Sequence, residues 1–202
     1  MSKYESQSQQ EINAIARAIK ACLGFVCQDG FHLCGINIRP DANDKKTHVL
    51  EATDGHTAIQ CRLQVGWPED MNLYIETKDA DIAVKLLTNH VKETLGPLDN
   101  AGNNLELFCA RKGIDCRSPK DRGFAYPPID QVAPRYDDKG NRVPFFGVNP
   151  AYLARIEKTA KALGMSKHVG VVIRHGSELD PITCGITADN VTATIVIMPM
   201  RV

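Results

Sequence analysis

Histidine, aspartate and cysteine side chains lie close together in one stretch of the sequence. His56 lies beside Asp54, and Cys61 follows in the same stretch. A carboxylate–imidazole pair can act as a general base, and a thiol that meets a distant histidine can act as a nucleophile. The sequence supplies no nucleophile elbow, no H-E-x-x-H pair and no phosphate-binding glycine loop to support such groups. We therefore expect a protein that is not an enzyme and has no catalytic residues.

The seven cysteines are not spaced as metal ligands. None belongs to a C-x-x-C pair, and most lie in strand-like runs such as LELFCA, with Cys109, and ITCGI, with Cys184. Zinc sites use paired cysteine or histidine ligands at short spacing. The cysteines are predicted to be small core residues, and neither a metal nor another cofactor is expected.

The composition is that of a globular chain of 202 residues, 43% of them hydrophobic. Its 24 basic and 24 acidic residues balance, which argues against a nucleic-acid binder that is basic all over but leaves open one with a single charged face. No apolar run approaches the roughly 20 residues that span a bilayer. The polar beginning, MSKYESQSQQE, lacks the apolar core of a signal peptide. We expect a cytoplasmic protein with no membrane partner.

A pattern of one helix followed by short strands recurs about every 65 residues. In the first copy, Ile12, Ile15 and Ile19 recur at helical spacing. The elements predicted for this copy are a helix at Gln10–Cys22, strands at Gly35–Ile38, Thr47–Ala52 and Ala58–Leu63, and turns at Arg39–Asp44 and Asp54–Gly55.

The second copy is predicted to combine a strand, a helix and a hairpin. The strand is placed at Asn72–Glu76 and the helix at Asp79–Val91. In LELFCARKGIDCRS, alternate residues from Leu105 to Cys109 are apolar before Lys112–Gly113, which predicts a hairpin with its turn at these two residues.

The third copy has the clearest helix. Asn149 can cap its N-terminus, Pro150 suits its first position, and Gly164 can end it. The apolar stripe predicted to face the core is Leu153, Ile156, Ala160 and Leu163. Strands are predicted at His168–Arg174, Pro181–Ile186 and Thr192–Met198.

Helices on one face of antiparallel strands make an α+β chain. The polar stretch RYDDKGNR, residues 135–142, is the best candidate for a connector between copies. We therefore expect one domain of two copies at residues 1–134 and a third copy at residues 135–202.

Three short segments are more informative than the repeat. ATDGHTA, residues 52–58, can be an ordinary Asp-Gly turn between strands. AYPPIDQVAP, residues 125–134, is too rich in proline for a central strand and can be a surface loop. In the C-terminal IVIMPMRV, Pro199 lacks the backbone N–H that would donate a hydrogen bond to a neighbouring strand. The chain is therefore expected to leave the sheet there, with Met198 and Met200 beyond the last paired position. Such methionines suit varied apolar ligands, and the alternative is a tail packed on its own core.

Together these segments resemble three motifs of the bacterial DNA sliding clamps, the β subunit of DNA polymerase III. TDGH resembles the clamp turn ATDGHRLA, the proline-rich loop resembles FPDYRRVLP, and the C-terminus resembles VVMPMRL, in the same order. FFGVNPAYLARIEKTAKAL also looks like the strand and helix that begin the clamp's last half-domain. The resemblance runs from about residue 10 to residue 202. It implies a DNA-clamp fold of repeated β-α-β-β-β modules, with helices packed on one face of antiparallel sheets.

The resemblance also implies a pocket for the short apolar motif of polymerases, clamp loaders and repair factors. Gly55 would allow close backbone approach, and His56 would orient a polar group of the ligand. Thr57 and Gln131 stand where the family has arginine, so we expect weaker polar anchoring and a different choice of peptide tails. Transferred position by position, the lining is Leu33, Thr53, Gly55, His56, Pro127, Val132, Val196, Met198, Pro199, Met200 and Arg201.

Contact with DNA through helices that line a ring is the second trait that the resemblance implies. Basic residues on the predicted helices suit sequence-independent contact with phosphates. A solvated helix surface predicts much the same residues, and Asp81 and Glu157 dilute the charge. The candidate DNA-facing residues are Arg17, Lys20, Lys78, Lys85, Lys92, Arg155, Lys158 and Lys161.

The sequence therefore predicts a sliding-clamp-like processivity or recruitment factor. Its expected partners are duplex DNA and the clamp-binding-motif peptides of DNA polymerases and clamp-loader-type proteins. A homo-oligomer is also expected, because an odd number of modules leaves one without a pairing neighbour. The alternative is an adaptor or decoy that binds such peptides without encircling DNA.

Overall fold

Seven antiparallel strands pair in a single sheet in the computed structural model. The strands are β1 (Gly35–Pro40), β2 (Thr47–Thr53), β3 (Thr57–Gln64), β4 (Leu73–Glu76), β5 (Val172–Arg174), β6 (Ile182–Ala188) and β7 (Val191–Ile197). The helices are α1 (Lys3–Cys22), α2 (Thr77–Lys92), α3 (Leu105–Arg111), α4 (Ile129–Val132) and α5 (Pro150–Ala162), and a 3₁₀ turn, Leu23–Phe25, follows α1. The residues that the structure describes are 3–27, 33–92, 105–132, 147–165, 171–175, 180–188 and 190–200.

One face of the sheet is apolar and forms the main core. Side chains alternate between the two faces of a strand, so every second residue of β2 and β3 points to this core. Leu50, Ile59 and Cys61 on these strands are fully buried, as is Ile195 on β7. The strand order is β4-β1-β2-β3-β7-β6-β5, which puts β3 and β7 at the centre of the sheet.

Helix α1 is the central element of the layer that covers this apolar face. It contacts α2 and α5 as well as β2 and β3. Its isoleucines Ile12, Ile15 and Ile19 are buried, as predicted, and so are the small residues Ala14 and Ala18 between them. Small side chains let neighbouring elements approach the helix closely, which explains how it is buried on more than one side. The helix begins at Lys3, earlier than the predicted Gln10.

The first and third copies of the sequence pattern share the sheet. Strands β3 and β7 pair along their length, with Ala58 opposite Val196 and Gln60 opposite Thr194. Strand β7 of the third copy therefore has a pairing neighbour, whereas among the described residues the sheet ends at β4 on one side and at β5 on the other. The domain boundary at residues 134 and 135 stays a prediction, and the connector at residues 135–142 lies outside the described residues.

The hairpin predicted in the second copy is instead a helix, α3, followed by a turn. Leu105 and Cys109 are both buried and lie four residues apart, which puts them on one helical face. Gly113 has φ 70° and ends the helix, with hydrogen bonds from its N–H to Ala110 O (3.2 Å) and from Ile114 N to Cys109 O (2.9 Å). A glycine at positive φ serves a helix C-terminus as well as a hairpin turn, and the predicted hairpin is wrong.

Helix α5 begins as predicted, but it is rotated about its axis relative to the predicted orientation. The Asn149 side chain accepts a hydrogen bond from Ala151 N (2.9 Å). Gly164 follows the last turn with φ 81°. Of the predicted stripe, Ile156 and Leu163 are buried and Ala160 packs half-buried against the core, whereas Leu153 is 40% exposed. Thr159, which is outside the predicted stripe, is also buried.

The predicted strands of the first and third copies are otherwise found within a few residues of their expected bounds. Two differences remain: Arg39 belongs to β1 rather than to a turn, and only Val172–Arg174 of the predicted strand at His168–Arg174 is observed among the described residues. The α+β class predicted from the sequence is confirmed. The short helix α4 packs on the face of the sheet opposite the main core, through Ile129 against Ala58 and Val196.

Candidate functional site

The turn between β2 and β3 is held by its own side chains. Asp54 Oδ1 accepts hydrogen bonds from His56 N (3.0 Å) and Thr57 N (2.8 Å). Thr53 Oγ1 donates to Thr57 O (2.8 Å) and accepts from Gly55 N (3.1 Å). Gly55 has φ 87°, a conformation that side chains disfavour. The Asp-Gly pair thus builds a fixed turn that presents the exposed His56.

A mainly apolar cavity of about 170 Å³ opens beside this turn. Seven of the residues predicted from the sequence line it: Leu33, Thr53, Gly55, His56, Pro127, Val196 and Met198. Three further residues line the cavity and are not among the predicted ones: Thr57, Ala58 and Ile129. Ala58 and Ile129 belong to the two motifs already singled out, so their alternation with predicted residues could have identified them. Pro199 and Met200 do not line the cavity, whereas the side chain of Val132 and the whole of Arg201 lie outside the described residues.

One wall of the cavity comes from the proline-rich segment. Ile129 is buried against Ala58 and Val196, which face each other across β3 and β7, and Tyr126 packs on the same cluster. Pro127 lies between Tyr126 and Ile129 and completes the wall. The proline-rich segment is therefore a packed part of the structure rather than a free surface loop.

A buried polar network holds the same segment against the sheet. Its centre is Glu51, which is 1% exposed. The Glu51 carboxylate accepts hydrogen bonds from Asn37 Nδ2 (2.8 Å), Arg39 Nε (3.0 Å) and Gln60 Nε2 (3.0 Å). Asn37, Glu51 and Gln60 lie opposite one another on β1, β2 and β3, so the pairing register itself aligns them. The Tyr126 hydroxyl donates to Glu51 O (3.3 Å) and joins the segment to this strand.

Asp130 is the second link between the segment and the sheet. Its carboxylate accepts from Gln60 Nε2 (2.9 Å), from Arg62 Nη2 (3.2 Å) and from Arg39 Nη2. Burial opposes ionisation of Asp130, but the Gln60 hydrogen bond and the Arg39 guanidinium outweigh it and lower the pKa of this carboxyl. The cavity wall is therefore fixed by charged hydrogen bonds on the outer face of the sheet.

Helix α5 reaches the β2–β3 turn through Arg155. Its Nη1 donates to Asp54 Oδ2 (2.6 Å) and to Thr57 Oγ1. The guanidinium lies 5.3 Å from the centre of the Tyr152 ring, and that ring stacks on His56 with 6.4 Å between centres and 15° between planes. Burial opposes ionisation of Asp54, but the Thr57 N–H and the Arg155 guanidinium lower its pKa overall.

The C-terminal strand continues past the cavity along two other segments. Met198 N donates to His56 O (3.2 Å), and Met200 N donates to Gly147 O (2.9 Å). Their side chains are 38% and 51% exposed, respectively. The methionines therefore remain accessible, in contrast to the alternative of a tail packed on its own core.

The catalytic dyads considered from the sequence do not form. The Asp54 carboxylate binds the backbone N–H of His56, the backbone and hydroxyl groups of Thr57 and the Arg155 guanidinium. Cys61 is fully buried in the main core. Within the described ranges, no group of three or more histidine, cysteine or acidic residues is placed to hold a metal ion, and no helix is long and apolar enough to cross a membrane.

The candidate DNA-facing residues are placed differently from one another. Lys20, Lys85, Lys158 and Lys161 are exposed, and Lys161 pairs with Glu157 (2.5 Å). Lys78 is exposed and pairs with Glu76 (3.2 Å). Arg17 is half-buried with its guanidinium over Gly164, and the side chain of Lys92 lies outside the description.

Arg155, another candidate DNA-facing residue, lies against the β2–β3 turn. The Arg155 side chain is only 25% exposed and is engaged by Asp54. The rotation of α5 explains the difference, because it brings Arg155 toward the β2–β3 turn.

Comparison with solved structures identifies the fold of the chain. The β subunit of DNA polymerase III from Thermotoga maritima superposes with a TM-score of 0.64 at 13% identity, over 95% of this chain and 64% of that chain. The chain has the sliding-clamp fold. The sliding clamp of Pseudomonas aeruginosa gives a TM-score of 0.62 at 15% identity (96% of this chain, 65% of that chain), and the Caulobacter crescentus polymerase III β protein gives 0.63 at 13% (95% and 65%).

The resemblance to sliding clamps seen in the sequence is confirmed at the level of the fold. The chain spans slightly less than two thirds of the length of these clamps, namely 64% and 65% of the first two. Its sequence matches no protein-family model and no curated protein.

Proposed function

We propose that the chain is a non-enzymatic, cytoplasmic, sliding-clamp-like factor that binds short apolar peptide motifs of DNA replication proteins in the cavity beside His56. The observation that carries this proposal is the convergence of three separate segments on one cavity. The β2–β3 turn supplies His56, the proline-rich segment supplies Pro127, and the last strand supplies Met198. The cavity lies on the sliding-clamp fold, whose examples are named as DNA polymerase subunits.

The size and lining of the cavity favour side chains of a peptide over a whole small molecule. Its volume of about 170 Å³ lies below the roughly 300–1,000 Å³ of small-molecule sites. Its walls are mainly aliphatic, and Met198 is a flexible side chain that adapts to varied apolar groups. An apolar residue at the end of a linear motif fits such a cavity, while the exposed His56 at its rim can meet a polar group of the same motif.

A peptide with a Gln-x-x-Leu-Phe-like core tests the proposal. We expect binding in the micromolar range, about −8 kcal/mol at 1 μM, measured by fluorescence polarisation. Met198→Asp should abolish binding because it places a charge against an apolar cavity. Ile82→Asp is the matched control, since Ile82 is 45% exposed on α2. Equal affinity of the parent and the Met198→Asp variant would refute the cavity as the binding site.

Duplex DNA is the second proposed partner, contacted by the exposed lysines of the helices. Lys158 and Lys161 lie on one exposed side of α5. Contact through phosphates alone should be weak, indifferent to sequence and steeply dependent on salt. The double variant Lys158→Glu and Lys161→Glu should weaken binding of any duplex to the same degree, and unchanged binding would exclude α5 from the DNA interface.

The alternative function is an adaptor or decoy that binds the same peptides without encircling DNA. The two functions differ in what they require of β5, which has no further strand beside it within the described ranges and on which Val172 and Ile173 are 54% and 46% exposed. A ring needs another copy of the chain on such an edge, whereas an adaptor does not. Size-exclusion chromatography with light scattering distinguishes a homo-oligomer from a monomer.

A further inference from the structure

We propose that Arg155 is a positioning residue for the peptide cavity, holding the β2–β3 turn and the Tyr152 ring so that His56 stands at the cavity rim in one orientation. The role in peptide binding rests on the proposed function. The role in orienting His56 is a property of the free protein and is tested separately.

The first half of the mechanism is a closed set of hydrogen bonds between α5 and the turn. Arg155 Nη1 binds Asp54 Oδ2 (2.6 Å) and Thr57 Oγ1, and the Thr57 hydroxyl in turn lies 3.1 Å from Asp54 Oδ1. The two charged side chains are only 25% and 14% exposed. The pair is thus better shielded from solvent and salt than a surface ion pair, and it fixes the distance between α5 and the turn.

The second half is a series of contacts among four side chains. The Arg155 guanidinium lies over the ring of Tyr152 (5.3 Å) and over that of Phe25 (5.6 Å), and Phe25 is 1% exposed. Tyr152 in turn stacks on His56. Phe25 is anchored in the core, so the order of packing runs from the core through Arg155 and Tyr152 to His56.

His56 needs such support because little else restrains its ring. The residue is exposed, and it follows a glycine in a turn. Its backbone is held by Asp54 and Met198, whereas the Tyr152 stack is the ring contact found for His56 in the described part of the chain. Removing Arg155 should therefore free the imidazole without emptying the apolar cavity.

The test compares Arg155→Gln with Lys158→Gln, which removes an exposed cation from the same helix. In the peptide-free protein, the ¹H–¹³C correlation of the His56 ring should carry a ring-current shift from Tyr152, assigned with His56→Ala. We expect Arg155→Gln to move this resonance toward its position in Tyr152→Leu, and Lys158→Gln to leave it unchanged. Arg155→Lys should give an intermediate shift, and it replaces Arg155→Gln if that variant does not fold, as judged by the fluorescence of the buried Trp67.

Affinity for the Gln-x-x-Leu-Phe-like peptide then separates positioning from general destabilisation. Arg155→Gln should weaken binding by about tenfold in the parent, a size typical of coupling between contacting residues, and by less than about twofold in a His56→Ala background. Equal losses in both backgrounds, or an unmoved His56 resonance, would overturn the proposal. Absence of peptide binding by the parent would refute the proposed function, while the resonance would still decide whether Arg155 orients His56.

Discussion

The two halves of the sheet differ in how their outer face and edge are covered. On β1, β2 and β3, the outer face carries Asn37, Glu51 and Gln60 beneath the proline-rich segment, and these groups are buried and mutually hydrogen bonded. At the other end, β5 presents three exposed residues and no further strand within the described ranges. The covered half has the properties of a fixed scaffold for a binding site, whereas the uncovered edge has those of an interface with another chain.

The difference also shows how a polar network can serve a binding site. Buried charges contribute little net stability compared with apolar residues, but they tolerate few alternative arrangements. Glu51 and Asp130 bind donors from different strands, so the proline-rich segment has one position in which all of them are satisfied. This position sets where Pro127 and Ile129 line the cavity.

Loss of the buried carboxylate at the centre of the network should have the largest effect. Glu51→Ala leaves the Arg39 and Gln60 side chains without their buried acceptor, and we expect a loss of about 3–5 kcal/mol in the free energy of unfolding. Glu69→Ala is the matched control, because Glu69 is exposed and surface changes cost less than about 0.5 kcal/mol. Urea denaturation followed by Trp67 fluorescence measures both, and similar midpoints would show that the network does not stabilise this half of the sheet.

A smaller effect is expected from the link between the segment and the sheet. Asp130→Asn keeps the shape of the side chain but removes the charge that Arg39 and Arg62 contact. Because Asp130 is 42% exposed, solvent screens these ion pairs, and we expect a loss of about 1 kcal/mol in stability. Peptide affinity should fall as well, since the cavity wall at Ile129 loses its tether. A variant with lower stability and unchanged peptide affinity would show that the network stabilises the fold without determining the shape of the cavity.

Acid should destabilise the folded chain through Asp130, in the covered half, and Asp54, in the β2–β3 turn. The pKa values of Asp54 and Asp130 are lowered in the folded chain, relative to an ordinary value of 3.8. A lowered carboxyl pKa contributes stability that is present above the unfolded value and is lost as the pH falls through the folded value. The urea concentration at the midpoint of unfolding should therefore decrease when the pH is lowered below about 4. The double variant Asp54→Asn and Asp130→Asn should reduce this dependence of the urea midpoint on pH. If the midpoint of the double variant depends on pH as steeply as that of the parent, other carboxyls cause the dependence.

The sequence predicted the elements whose pattern depends on local chemistry. The isoleucine spacing of α1, the Asn149 cap and the Asp-Gly turn are all visible in short windows, and each is found in the structure. The hairpin failed because alternation over a few residues does not separate a short strand from a helix with residues at i and i+4. The family resemblance located most of the cavity, because its three segments carry specific motifs.

The parts that escaped prediction depend on contacts between distant segments. The sequence predicts Arg155 as a DNA-facing residue, yet its partner Asp54 lies 101 residues away along the chain. The link between Gln60 and Asp130 spans 70 residues. No local pattern specifies such pairs, since they follow from the pairing of β3 with β7 and from the rotation of α5. The polar residues of β1 to β3 carried one indication, because charged side chains at mid-strand positions need partners.

The smallest effect on stability is expected at the uncovered edge, although its effect on assembly is the most informative. Ile173 is 46% exposed on β5, so Ile173→Lys should change the free energy of unfolding by less than about 0.5 kcal/mol. Lysine on an edge strand opposes pairing with a second chain, because it places a charge where an apolar contact would form.

If the chain assembles through β5, light scattering at tens of micromolar should show an oligomer for the parent and a monomer for Ile173→Lys. Ile82→Lys on α2, where Ile82 is 45% exposed, is the matched control and should leave the oligomer intact. A parent that remains monomeric would favour the adaptor or decoy, whereas an oligomer that survives Ile173→Lys would move the interface away from β5.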